Sequence, residues 1–335
     1  MRRQGALGLI GLIVAMLWIH AGSSGTRAFS FSTSSSIWTW TSHLTSAYFD
    51  RAAALTDSMS AQLERAEPHP PPDTRFFFAT LPPYAGFQMG NGALVRHLYS
   101  APGMESHFYS QFSDTTAGEH PCRFLNWDGA RLRPMFGPGT DTFFQVGSDL
   151  LLLDRPDAAR HAFRRGLAAG ENRSDLLYWT GWAELWSGRR DAAEQAWMRL
   201  GFRDDSLGRV ESLRSAHNAL VDGDTLVSRR RLLESIRYGV GYPEAHAVLG
   251  ELMTGRAAKY GLLELKVATF LNPRDWVARL ELASGLASVR LDEPAARELE
   301  ALLRLRPSMG ADSAVVRLRR DLDARSPAAG DMAEF

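Results

Sequence analysis

Asp157-Ala158-Ala159-Arg160-His161-Ala162-Phe163 and Asp191-Ala192-Ala193-Glu194-Gln195-Ala196-Trp197 share one frame, displaced by a period of about 34 residues. Gly147 and Gly181 keep the same step upstream, and Gly261 and Ala295, Leu265 and Leu299, Ala268 and Leu302, and Pro273 and Pro307 repeat it downstream. The step from Ala193 to Gly261 is twice that period, so one phase runs through five units. A fixed period of this length marks stacked supersecondary units, none of which covers its own apolar face alone.

Each unit is predicted to be two antiparallel helices. Gly147 and Gly181 are small residues at a helix crossing, where they let the backbones approach. Ala159, Ala193, Gly261 and Ala295 open the second helix, and Phe163, Trp197, Leu265 and Leu299 follow one turn later to fill the gap to the next hairpin. Ala268 lies further along that helix, and Pro273 and Pro307 end it. In the third unit, Ser215, Val227 and Arg231 occupy the frame positions, so it is degenerate, with helices shifted by a residue or loosened.

Over residues 140–309 this pattern resembles the tetratricopeptide repeat (TPR) family, which has the same period. The resemblance implies an array whose first helices, about Thr142–Leu153 and Asp175–Ser187, line a concave face that binds a peptide. Tyr178 and Trp182, four residues apart, share a stripe of the second such helix, and Trp186 continues it. Arg229, Arg230 and Arg231 in the third unit could clamp an acidic group. These six are the candidate partner-binding residues.

The predicted fold class is mainly α: a TPR-like α-solenoid preceded by an N-terminal signal or anchor, a long amphipathic helix and a small α/β module. Residues 1–23 place Arg2 and Arg3 before an apolar run from Ala6 to Ile19, as in a signal peptide or signal anchor. Either form directs the rest of the chain out of the cytoplasm, periplasmic or anchored in the inner membrane. Residues 24–36 are a Ser- and Gly-rich tether. Within residues 37–72, Trp40, Leu44, Tyr48, Ala52, Leu55, Met59 and Leu63 form one helical stripe before Pro68, Pro70, Pro71 and Pro72. The α/β module, residues 73–138, holds an apolar strand Arg75–Leu81, a helix Ala93–Tyr99 and a hairpin about Asp128-Gly129. Residues 139–310 are the five repeats, and 311–335 a capping helix, with Ala314, Leu318 and Leu322 on one side, and a tail. Residues 37–112, with their Pro-rich spacer and "ALVRHLYSAP", also resemble the extracytoplasmic tail of dolichyl-phosphate-mannose-type membrane glycosyltransferases. That likeness implies an accessory subunit or split-off tail of such a complex.

Composition excludes more than it assigns. Lys+Arg and Asp+Glu are equal at 38, so no global field attracts nucleic acid. Lys occurs only at Lys259 and Lys266, and Cys122 is the single cysteine, so no internal disulfide forms. His97, His107, His120 and Cys122 lack metal-ligand spacing, and Asp114, Glu119 and Asp128 are not placed as a catalytic pair. Gly86, Gly90 and Asn91-Gly92 lack a phosphate-loop pattern, and Asn172-Arg173-Ser174 falls in a repeat turn. The expected activity is therefore non-enzymatic and without cofactor or metal. The expected partner is another protein or peptide, such as a membrane protein complex, with membrane contact through the N-terminal segment if it is uncleaved.

Overall fold

The computed structural model describes residues 46–81, 92–128, 130–253 and 258–325. The leader, the tether, Trp40, Leu44, Gly86, Gly90, Asn91, Gly129 and the tail from Ser326 lie outside them, as do the side chains of Tyr48 and Ala52. The chain is mainly helical and divides into two compact units. One includes residues 46–112 and 120–137, and the other residues 113–119 and 138–326.

In the first unit, α1 (Ser46–Ala66) precedes β1 (Arg75–Phe78), α2 (Ala93–Leu98), β2 (Glu105–Phe108), β3 (Cys122–Trp127) and β4 (Leu132–Pro134). The sheet order is β2-β1-β3-β4, with β1 parallel to both neighbours and β4 antiparallel to β3. A central parallel strand is covered on both faces, which is why Phe76, Phe77 and Phe78 are all buried. Met59 and Leu63 of α1 join Phe76, Phe78, Val95, Met104 and Leu125 in one core. The long helix is thus part of the sheet's core, and not a separate segment. Asp128 Oδ1 accepts from the Ala130 and Arg131 amides at 3.0 and 2.7 Å, closing the turn that pairs Trp127 with Leu132.

The second unit holds α3 (Asp114–Ala117) and then five hairpins. These are α4 (Thr142–Leu152) with α5 (Pro156–Ala169), α6 (Arg173–Trp186) with α7 (Arg190–Met198), α8 (Ser206–Val221) with α9 (Thr225–Arg237), α10 (Pro243–Met253) with α11 (Ala258–Leu271), and α12 (Trp276–Ser288) with α13 (Asp292–Leu305). A 3₁₀ turn, Pro307–Ala311, leads into α14 (Ser313–Arg325). Val315 and Leu322 are the residues α14 buries; Ala314, expected on that face, is exposed. Pro273 follows the end of α11, Pro307 follows the end of α13, and Ala268 and Gly261 are buried.

The frame residues lie where the period puts them, with one correction to their role. The large residue of the second helix packs back onto its own first helix. A Cβ built on Gly147 falls 2.2 Å from the Phe163 ring, and one on Gly181 falls 2.2 Å from Trp197 Nε1. Each glycine is the space that its partner ring occupies. Ala159, Ala193 and Ala295 are fully buried at the same crossings. In the fourth hairpin Gly250 and Leu265 reproduce the contact, the Cβ falling 2.6 Å from Leu265 Cγ.

The backbone carries the period too. The residue closing the first helix of a hairpin is left-handed at Asp154 (φ 59), Gly188 (φ 79), Gly223 (φ 79) and Arg290 (φ 63). At each, the following amide reaches back along the helix, as Arg155 to Leu150 O, Arg189 to Glu184 O, Asp224 to Ala219 O and Leu291 to Leu286 O. Gly223 falls one residue late. So does the packing of the third hairpin, where Ala216, Ser228 and Leu232 are buried in place of Ser215, Val227 and Arg231. The third unit therefore follows the same pattern as the others, displaced by a single residue. Its seam to the second hairpin is the weak one, since α7 and α8 barely touch while α5·α6, α9·α10 and α11·α12 all pack.

Candidate functional site

Helix α11 decides what the array can bind. Its sequence is largely apolar, more so than one buried face requires, and most of it is buried. Leu262, Leu263, Leu265, Val267 and Ala268 are buried, at about 1.5–3 kcal/mol for each large side chain relative to exposure. One face packs in its own hairpin against α10 and against the following α12; another contacts α4 of the first hairpin. Tyr260 stacks on Phe144 of α4 at 5.4 Å and meets Trp179 of α6 edge-on at 5.9 Å. Phe270 lies 6.5 Å from Trp182 and 6.0 Å from Trp186. Lys259 pairs with Asp149 at 2.6 Å, and Lys266 pairs with Asp154. Both lysines of the chain thus tie α11 to the first hairpin.

The inner face of hairpins one and two is therefore filled by the fourth hairpin. This corrects the expectation for the aromatic stripe. Trp182 is fully buried among Trp197, His246 and Phe270. Trp186 is half-buried against Phe270. Tyr178 donates its hydroxyl to Glu264 at 3.2 and 3.4 Å, and burial, with Glu264 adding to it, holds its pKa well above the phenolic range. Glu264 also meets His246 Nδ1 at 2.6 Å, and His246 Nε2 faces Val240 O at 2.9 Å. The Val240 carbonyl accepts from Nε2, which turns Nδ1 toward Glu264. Tyr178, Glu264 and His246 make a polar knot across three helices, a structural tie of the kind that costs most when one member is lost.

Beside this knot is a recess of about 370 Å³, between α6, the α7–α8 linker, α9, α10 and α11. Its walls are apolar, formed by Leu200, Phe202, Leu233, Ile236, Leu249 and Met253. Tyr178, Tyr260, Asp175 and Glu264 carry its polar groups, together with Arg229 and Arg237 of α9. The recess lies at the weak α7·α8 seam, where the linker Arg199–Asp205 swings Phe202 toward Tyr178. Of the expected arginines, Arg229 is here; Arg230 and Arg231 do not line it, and Arg231 is paired with Glu234 at 2.7 Å. Sequence reasoning missed Arg237, Phe202 and Asp175. The spacing of Arg229, Leu233 and Arg237, one stripe of α9, was the available signal.

His107, Cys122, Asp114, Glu119, Asp128 and Asn172 have structural partners. His107 pairs with Glu105 at 3.2 Å and stacks on Phe77, with its pKa lowered by burial. Cys122 Sγ faces His120 O at 3.4 Å. Asp114 and Glu119 both hold Arg164 at 3.1 Å, and Asp128 holds Arg133 at 2.8 Å. Asn172 caps α6 through the Ser174 and Asp175 amides. Among the described residues no group of three or more His, Cys, Asp and Glu is placed to hold a metal, and no helix is long and apolar enough to cross a membrane.

No family model matches the chain, and no curated protein matches it. Solved structures with similarity include TPR proteins. The TPR domain of Arabidopsis OM64 is 11% identical with a TM-score of 0.31, covering 35% of this chain and 95% of that one. The TPR2AB domain of yeast Sti1, solved as a pHSP90 complex, is 9% identical with a TM-score of 0.33, covering 56% and 86%. MamA from Desulfovibrio magneticus RS-1, residues 41 to the end, is 17% identical with a TM-score of 0.28, covering 53% and 99%. The likeness of residues 37–112 to glycosyltransferase tails draws no support from these comparisons.

Proposed function

We propose that the chain is a non-enzymatic protein-interaction scaffold that holds a partner polypeptide at the recess between its second, third and fourth hairpins. The observation that carries this reading is the filling of the inner face by α11. With α11 packed on hairpins one and two, the recess around Leu233 is one place where an apolar wall and guanidinium groups stay open to a partner. The third hairpin adds exposed apolar side chains nearby, Leu226 and Leu233 on α9 and Leu207, Val210 and Val221 on α8. Clusters of this kind mark interaction surfaces. Arg2 and Arg3 before the apolar run Ala6 to Ile19 support reading residues 1–23 as a leader and placing the array outside the cytoplasm.

A photoreactive side chain at position 233 tests the site. It is expected to cross-link a partner in intact cells, while the same group at exposed Val316 on α14 does not. Equal cross-linking from both positions, or none from 233, contradicts the reading. For location, protease added outside the cytoplasmic membrane is expected to digest the helical array; protection until lysis contradicts that part.

A further inference from the structure

We propose that the recess reads its polypeptide partner by charge as well as shape, taking a basic side chain toward Asp175 while a neighbouring acidic side chain rests on Arg229 and Arg237. The inference rests on the reading above and adds the partner's chemistry to it.

The recess holds two sets of charge that do not neutralise each other. Among the described residues, Asp175 has no lysine or arginine within ion-pair distance. Its hydrogen bonds come from neutral groups, Asn172 Nδ2 at 2.9 Å and the Tyr260 hydroxyl. Burial, the largest influence on it, raises its carboxyl pKa, and a cation placed beside it would favour the ionised form. Glu264 is buried and already engaged by Tyr178 and His246, which leaves Asp175 as the acidic group without a partner of opposite charge at the recess. At the same recess, neither Arg229 nor Arg237 has a carboxylate within ion-pair distance among the described residues, unlike Arg231. These two guanidiniums flank Leu233 on one stripe of α9. Apolar walls lie between Asp175, which is partly buried, and the two exposed guanidiniums.

A ligand carrying one sign alone would meet its like. A basic side chain beside an acidic one satisfies both sets, and its aliphatic stem can lie on Leu249 and Met253. The rings of Tyr178, Tyr260 and Phe202 add faces suited to a cation. A recess of about 370 Å³ accommodates one or two side chains, so recognition is of a short motif and not of a folded surface.

The test is selection of random peptides displayed on phage against the full chain, repeated on three variants. Asp175→Asn keeps an acceptor for Tyr260, so melting should be unchanged and separate binding from folding. The expected peptides place Lys or Arg at a fixed spacing from Asp or Glu around an apolar residue. Asp175→Asn should weaken a selected peptide about tenfold or more, and the pair Arg229→Gln with Arg237→Gln about threefold or more, reflecting inner and rim charges. Peptides that bind in a Leu233-dependent way without a charge pattern, or whose pattern survives both charge variants, overturn this inference and leave the recess as a binding site. If no selected peptide loses binding in Leu233→Asp, both this inference and the site itself fall.

Discussion

The hydroxyl of Tyr178, on the second hairpin, lies 3.2 Å from Glu264 Oε1 on the fourth, 86 residues along the chain. That one contact says that the array turns back on itself. A repeat whose units met only their neighbours would leave Tyr178 facing an open groove; here it meets a buried carboxylate that also holds His246. Tyr178→Phe keeps the ring and removes the donor. It should cost about 1–3 kcal/mol in urea unfolding of the full chain, because a hydrogen bond to a buried charged group is lost. A change of less than about 0.5 kcal/mol, the range of an ordinary surface substitution, would show that the knot contributes nothing.

Trp182→Ala and Leu233→Asp should separate structure from binding. Trp182 is fully buried, so its truncation should cost about 3–5 kcal/mol and lower the melting temperature. Leu233 is 46% exposed, so Leu233→Asp should stay within about 0.5 kcal/mol of wild type while abolishing partner cross-linking. A Trp182→Ala variant that melts normally but loses the partner would reverse the assignment of the two sites.

Gly181→Ala forces a methyl group into the Trp197 indole, whose Nε1 donates to Tyr178 O at 3.1 Å. Overpacking of this kind should cost about 1–3 kcal/mol. At Gly170, which is left-handed with nothing near its Cβ, alanine meets only backbone strain and should cost about 1 kcal/mol. Thermal denaturation of the two variants checks the order; equal costs would mean that the glycine–ring contact is not tight.

Much of the helical unit was legible in the sequence, because a fixed repeat period records contacts between neighbouring helices. Gly147 with Phe163 and Gly181 with Trp197 are contacts of that kind. The return of α11 onto the first hairpin is a long-range contact, which periodicity does not record. Its traces were there in another form: α11 is more apolar than one buried face requires, and it carries both lysines of the chain. The third hairpin misled for a smaller reason. One residue of displacement puts Arg231 in the frame and Leu232 in the core, and the left-handed residues Asp154, Gly188, Gly223 and Arg290 show that displacement only in the backbone. The recess was half legible: Tyr178 and Arg229 were singled out, but for an open concave face that the structure fills.

Acid should loosen the return of α11. Burial pushes the Asp154 carboxyl up, but Lys266 and Arg297 together outweigh it and hold its pKa below the ordinary value. A carboxyl lowered on folding stabilises above its unfolded pKa, near 4, and loses that contribution as pH falls through the lower folded value. The melting-temperature difference between wild type and Asp154→Asn should therefore be larger at neutral pH than at about pH 3. The same difference at both would exclude this carboxylate as a tie between hairpins one, four and five.

The filled inner face is tested most directly by a photoreactive phenylalanine at position 186, where a half-buried ring lies 6.0 Å from Phe270. Irradiation of the full chain should give a cross-link within the chain, to a fragment containing residues of α11 near Phe270, and the yield should not change when partner is added. A cross-link from position 186 to another polypeptide, with none to α11, would mean that the inner face is an open groove and contradict the account.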